Sequence, residues 1–209
     1  MNRAIFRAAL IVLAPLALSA CVSLGGGGKV PASLFTLTPA QSAPAGATTS
    51  SSAADALMVM EPETDQHLAV LRVPVQVDDA NLAYLQDALW VERPARLFRG
   101  LLAETLRARG GRLVLEDSEA SMPLAGHRLS GRLIAMGYDA RSGSVVVRYD
   151  AICRGPKGDV QTRRFESVVP GVAPVPAQVG PALNKAANDV AAQVADWISG
   201  YSKRAASCA

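Results

Sequence analysis

The sequence predicts an α+β fold: a mostly antiparallel sheet with two amphipathic helices packed on one of its faces. Three observations predict it. Apolar side chains recur with helical spacing in two separate places, Leu97, Leu101, Leu102 and Leu106, and then Val179, Leu183, Ala186, Val190, Val194 and Trp197. Residues 144–154 alternate instead, with Val145, Val147, Tyr149, Ala151 and Cys153 on one face and Arg148, Asp150 and Arg154 on the other. The order is strands, helix, strands, helix, which suits helices segregated to one face of an antiparallel sheet rather than alternating βα units.

In chain order, residues 22–33 include Gly25-Gly26-Gly27-Gly28 and read as a flexible tether. No Lys-Ser or Lys-Thr follows the glycines, so they do not make a phosphate-binding loop. Residues 34–37 are a short strand candidate. Residues 39–55, rich in Ala, Ser, Thr and Pro, hold too little apolar surface to pack and are expected as a disordered insertion. Residues 57–60 suit a strand, and 67–77 hold another, where Pro74 cannot donate to a ladder and implies an edge or a bulge. Residues 82–85 and 88–91 read as a strand and the approach to a helix. Pro94 suits a first helical position, and Gly110-Gly111 stops the helix. Strands are then expected at 112–115, 128–136, 144–154 and 159–169. The last helix begins between Pro176 and Pro181, and its other face carries Asn184, Lys185, Asn188, Asp189 and Asp196. The folding unit is therefore residues 34–200, followed by a tail at 201–209.

Ahead of the tether, Arg3 and Arg7 precede an apolar run that ends at Leu18-Ser19-Ala20-Cys21. The run is too short for a permanent membrane helix and reads as a signal peptide, residues 1–20. Its ending resembles the lipobox of bacterial lipoproteins, which implies that Cys21 is acylated and becomes the mature N-terminus. Each buried methylene contributes about 0.8 kcal/mol, so several acyl chains would hold the chain at a membrane durably. Val22 stands where an inner-membrane retention signal has aspartate, so the resemblance favours the periplasmic face of the outer membrane.

The chain has 21 basic and 18 acidic side chains; loss of Arg3 and Arg7 leaves it nearly neutral, with no electrostatic case for nucleic acid. Cys153 and Cys208 remain once Cys21 is committed to lipid. In an oxidising compartment a disulfide between them is allowed, the alternative being a buried thiol and a loose one.

No signature of catalysis or of a cofactor is present. His67 and His127 have no Cys or carboxylate at metal-ligand spacing, and no Gly-x-Ser-x-Gly elbow occurs. Glu116-Asp117 and Asp78-Asp79 read as solvated turn residues. Arg107, Arg109 and Arg112 surround the glycine turn, where cations also suit a helix C-terminus; lipid headgroups or an acidic partner are the other reading. Trp90 and Trp197 read as core anchors.

Phe35-Thr36-Leu37, the segment 70–75, Tyr84-Leu85 with Asp87-Ala88-Leu89-Trp90, the helix with Leu97, Leu101 and Leu106, and the closing Asp196-Trp197-Ile198 follow one another behind the lipobox. In that order they resemble the auxiliary lipoproteins of ABC-type transporters of the Mla and Pqi kind. The resemblance implies a non-enzymatic, cofactor-free component of intermembrane phospholipid transport. Its implied partners are a periplasmic MCE-domain protein, an inner-membrane permease and ATPase, phospholipid itself and further copies of the chain. A lipoprotein of outer-membrane assembly or envelope integrity is the alternative.

Overall fold

The structure is a computed structural model and describes residues 33–117 and 125–207, with side chains as far as Gly200. The first helix, α1 (Pro94–Arg109), buries Phe98, Leu101, Leu102 and Leu106 and stops at Gly110, whose φ of 69° suits a residue without a side chain. The second, α2 (Pro176–Ser207), buries Val179, Leu183, Ala186, Val190 and Val194 completely, with Trp197 8 % exposed. It runs on through residues read as a tail. Pro181 lies inside it, only five residues from its start.

The eight strands among the described residues are β1 (Leu57–Val59), β2 (Glu63–Thr64), β3 (Arg72–Gln76), β4 (Leu82–Leu89), β5 (Val114–Glu116), β6 (His127–Asp139), β7 (Ser144–Arg154) and β8 (Val160–Pro170). They form one sheet in which β6 is the hub. On one side β6 pairs with β7, and β7 with β8, in long antiparallel ladders. On its other side three short strands follow end to end, all parallel to it: β1 against 127–129, β2 against Arg132 and Leu133, and β3 against Tyr138 and Asp139. Outside these, β5 is parallel to β1 and β4 antiparallel to β3. The sheet is thus mostly but not wholly antiparallel.

Several elements differ from the sequence reading for local reasons. Pro74 sits at an irregularity of β3, an interior strand; Gly137 of β6 accommodates it, since a Cβ there would stand 2.4 Å from the Pro74 carbonyl oxygen. Residues 82–89 are one strand, bulged between Tyr84 and Leu89, where Asp87 takes φ 52°. The bulge turns both Leu85 and Ala88 to the core. The 34–37 candidate contracts to a single bridge, Phe35 beside Trp90, their rings edge to face with centroids 5.6 Å apart. Residues 39–55 hold no helix or strand and are exposed along almost all their length. Around their start the backbone is held by helix side chains: Thr38 N–H donates to Asn184 Oδ1 (2.8 Å), Ala40 N–H to Asn188 Oδ1 (2.7 Å) and Ala43 N–H to Glu104 Oε1 (2.8 Å).

The core lies between the sheet and the helices. Val145, Val147, Tyr149, Ala151 and Cys153 of β7 all face it, as alternation requires, and Phe98 of α1 meets the Tyr149 ring edge-on at 5.3 Å. Trp90 and Trp197 are both core residues. No helix among the described residues is long and apolar enough to cross a membrane.

Candidate interaction surface

The helices leave one face of the sheet uncovered, and strand alternation decides what stands on it. Side chains of β6, β7 and β8 that point away from the helices include Arg132, Val146, Arg148, Asp150, Ile152, Arg164, Glu166 and Val168. Register places opposite charges side by side. Asp150 lies between Arg132 and Arg164, and Arg164 grips it with Nε and Nη2, both at 2.6 Å; Arg148 pairs with Glu166 and Arg132 with Asp65. The Arg164 guanidinium holds the Asp150 carboxyl below the usual carboxylate range, with Arg148 and Arg132 adding to the effect.

A shallow cavity of about 240 Å³ opens where β3 leaves β6. His67, Leu82, Ile134, Met136, Val146 and Arg148 line it, with Asp139 and Arg141 at its edge. Arg141 is committed: Nη2 meets Asp139 at 2.7 Å and Nη1 meets Asp79 at 2.6 Å, which lowers the Asp139 pKa. Such a surface can recognise a complementary chain or a polar headgroup. Among the described residues it brings no nucleophile and base together, and no group of His, Cys, Asp and Glu is placed to hold a metal ion.

The residues singled out in the sequence go to different places. Cys21 and Cys208 lie outside the described residues. Cys153 is fully buried, its thiol pushed up to about 11 chiefly by burial, and its pairing with Cys208 lies outside the described residues. His67 lines the open-face cavity, whereas His127 is buried at the start of β6, where loss of solvent and the nearby Arg112 lower its pKa. Asp78 closes the β3–β4 turn by accepting from the Ala80 and Asn81 N–H groups. Glu116 and Asp117 are not free turn residues. Asp117 and Glu116 pair with Arg99, Glu116 also takes Arg107 at 2.9 Å, and Glu61 joins Arg99 at 3.8 Å. Arg107, Arg109 and Arg112 do not make one patch. Arg109 reaches Asp196 of α2 at 3.1 Å, and Arg112 is half-buried near Cys153 and His127, where burial lowers its pKa.

Sequence reasoning missed the role of Asn184 and Asn188, read as a wet helix face. One helical turn apart, they clasp the backbone at residues 38 and 40; their i,i+4 spacing beside the Leu183 stripe is the signal that was available. It also missed Arg99, the centre of the ion-pair network, whose acidic partners lie in two other segments of the chain.

The fold is shared with solved structures. A Xanthomonas campestris protein assigned to the family model DUF330 superposes with a TM-score of 0.62 at 16% identity, covering 83% of this chain and 96% of its own. An uncharacterized protein of known structure gives 0.59 at 20% identity, covering 69% and 92%. At these identities the likeness concerns the fold alone. No curated protein matches the sequence. The family model described as "ABC-type transport auxiliary lipoprotein component" matches residues 35–195, from the Phe35 bridge almost to Trp197. By that match, over the greater part of its length, this chain belongs to the ABC-type transport auxiliary lipoprotein family.

Proposed function

We propose that this protein is the non-catalytic, lipid-anchored auxiliary component of an ABC-type system that moves phospholipid between the two membranes of the envelope. Acylated at Cys21 and held at the periplasmic face of the outer membrane, it receives a periplasmic MCE-domain protein served by an inner-membrane permease and ATPase. The observation that carries this reading is the open face of the sheet. Helices cover most of one side, while the other keeps its charges in matched pairs around exposed Ile152 and Val168. Paired charges with scattered aliphatics suit reversible contact with another protein, giving specificity and rate more than raw affinity.

Two experiments test it. Cys21→Ser should abolish acyl labelling and release the domain from membranes; a chain whose mature N-terminus lies elsewhere and carries no acyl group ends the anchoring argument. Deleting the gene should reproduce the permeability defect of deleting the transporter, with no further loss in the double deletion, and the purified protein should co-isolate with the MCE protein. An additive defect without association would favour a separate role in envelope integrity.

A further inference from the structure

Exposed aliphatic side chains gather where the chain enters the folded unit. Leu34 is 47 % exposed, Val91 48 %, Leu71 42 % and Val70 37 %. Main-chain hydrogen bonds place them together. Phe35 N–H donates to the Leu89 carbonyl (2.7 Å), Val91 N–H to the Phe35 carbonyl (2.9 Å), and Trp90 N–H to the Leu71 carbonyl (2.7 Å). The bridge turns the Phe35 and Trp90 rings inward, so alternation sets Leu34 and Val91 on the face away from the core, beside half-buried Leu89. Arginines flank the cluster. Arg72 follows Leu71, its guanidinium 4.3 Å over the Tyr84 ring; Arg93 and Arg96, 58% and 55% exposed, pair loosely with Glu61 at 3.9 Å and Glu92 at 3.4 Å and keep much of their guanidinium surface in solvent.

Aliphatic tips bordered by guanidiniums fit the boundary of a phospholipid leaflet, where methyl groups enter the acyl region and cations stay at phosphate depth. We propose that this patch is a membrane-contact face, on which the domain leans against the phospholipid surface that holds its own N-terminal anchor. The occupant follows from where the chain leaves the fold. Residues 21–32, whose sequence reads as a tether, lead directly to Ser33 and Leu34, and a tether of that length has a root-mean-square reach of roughly 20 Å. With Cys21 acylated, a tether of that average reach would keep the patch near the bilayer. The proposal rests on the acylation of Cys21, and its test separates the two.

The acylated chain carrying Cys208→Ser is given either Val91→Cys or, at the opposite edge of the sheet, Val168→Cys, and is labelled with an environment-sensitive fluorophore. Cys153 is buried and does not compete for label. Both positions are about half exposed, so the labelled chains keep the fold, which an unchanged melting temperature verifies. They are reconstituted into vesicles of phosphatidylethanolamine and phosphatidylglycerol, with plain or brominated acyl chains. Flotation with the vesicles reads the anchor; emission reads the patch. The expected result is that both chains float, that the label at 91 shifts to the blue and loses emission to bromine, and that the label at 168 does neither. Floating chains whose two labels behave alike overturn the patch and leave the anchor standing. A chain that does not float overturns both. A label at 91 that shifts to the blue but ignores bromine reports burial against a second copy, and overturns the assignment to lipid.

Discussion

A methyl group at position 131 would stand 2.0 Å from the Asp150 carbonyl oxygen and 2.9 Å from the Tyr149 hydroxyl, on a backbone with φ of 150°. The Tyr149 hydroxyl donates to the Ser130 carbonyl at 2.8 Å, so the ring has no free room to retreat. Gly131→Ala should therefore cost about 2–3 kcal/mol, read as a lower urea midpoint with an unchanged slope. His127 makes a different prediction, about pH. Burial and Arg112 depress its pKa, while Asp159 and Asp55 oppose them weakly, so in acid the unfolded chain takes a proton that the folded chain refuses. Stability should fall as pH drops below about 6.5, the ordinary imidazole value, towards the lower folded value. His127→Gln should flatten that part of the profile in denaturant titrations at stepped pH. The burial of Cys153 was legible in the sequence because its strand alternates without interruption. Gly131 was not, since alternation reads straight across it and only the partner strand shows what a side chain would strike.

At the scale of elements, legibility follows length. Both helices and the long strands β6, β7 and β8 carry enough residues to be read, and the alternation of β7 places Val145, Val147, Tyr149, Ala151 and Cys153 in the core correctly, though it misses buried Ser144. The short strands β1 and β5 were expected, at 57–60 and 112–115, from their apolar residues alone, whereas β2, with two residues, has too few for any signal. Their parallel pairing with distant partners has no local trace at all. The same holds for the clasp on α2, where the chain at 38–40 gains its partners from a helix almost 150 residues later. Asn188 accepts from Ala40 N–H and donates to the Thr38 carbonyl at 3.0 Å. At about 0.5–1.5 kcal/mol per hydrogen bond, Asn188→Ala should lower stability by roughly 1–2 kcal/mol. It should also speed proteolytic cleavage near residue 40 while leaving cleavage elsewhere unchanged, which limited digestion followed by mass spectrometry would read.

Across the whole molecule, the ion pairs say where salt should matter. Arg148–Glu166 and Arg164–Asp150 stand on a half-exposed face, so each contributes at most about 1 kcal/mol and is screened. Added salt should leave the melting temperature nearly unchanged and slow the association of a charged partner with the open face, a contrast that calorimetry and stopped-flow mixing would reveal. The position of β6 has a further consequence, for the order of assembly. A chain emerging from its N-terminus presents β1 to β5 first, yet β1, β2 and β3 line up on a strand that has not arrived. The antiparallel β6–β7–β8 meander, joined by tight turns, closes its contacts over short stretches of chain and should form first. Pulsed hydrogen exchange during refolding should accordingly protect residues 128–168 before 57–76. The first half of the chain would then spend its early life waiting for a template, which makes that interval the time when it most needs protection from proteases and from other unfolded chains.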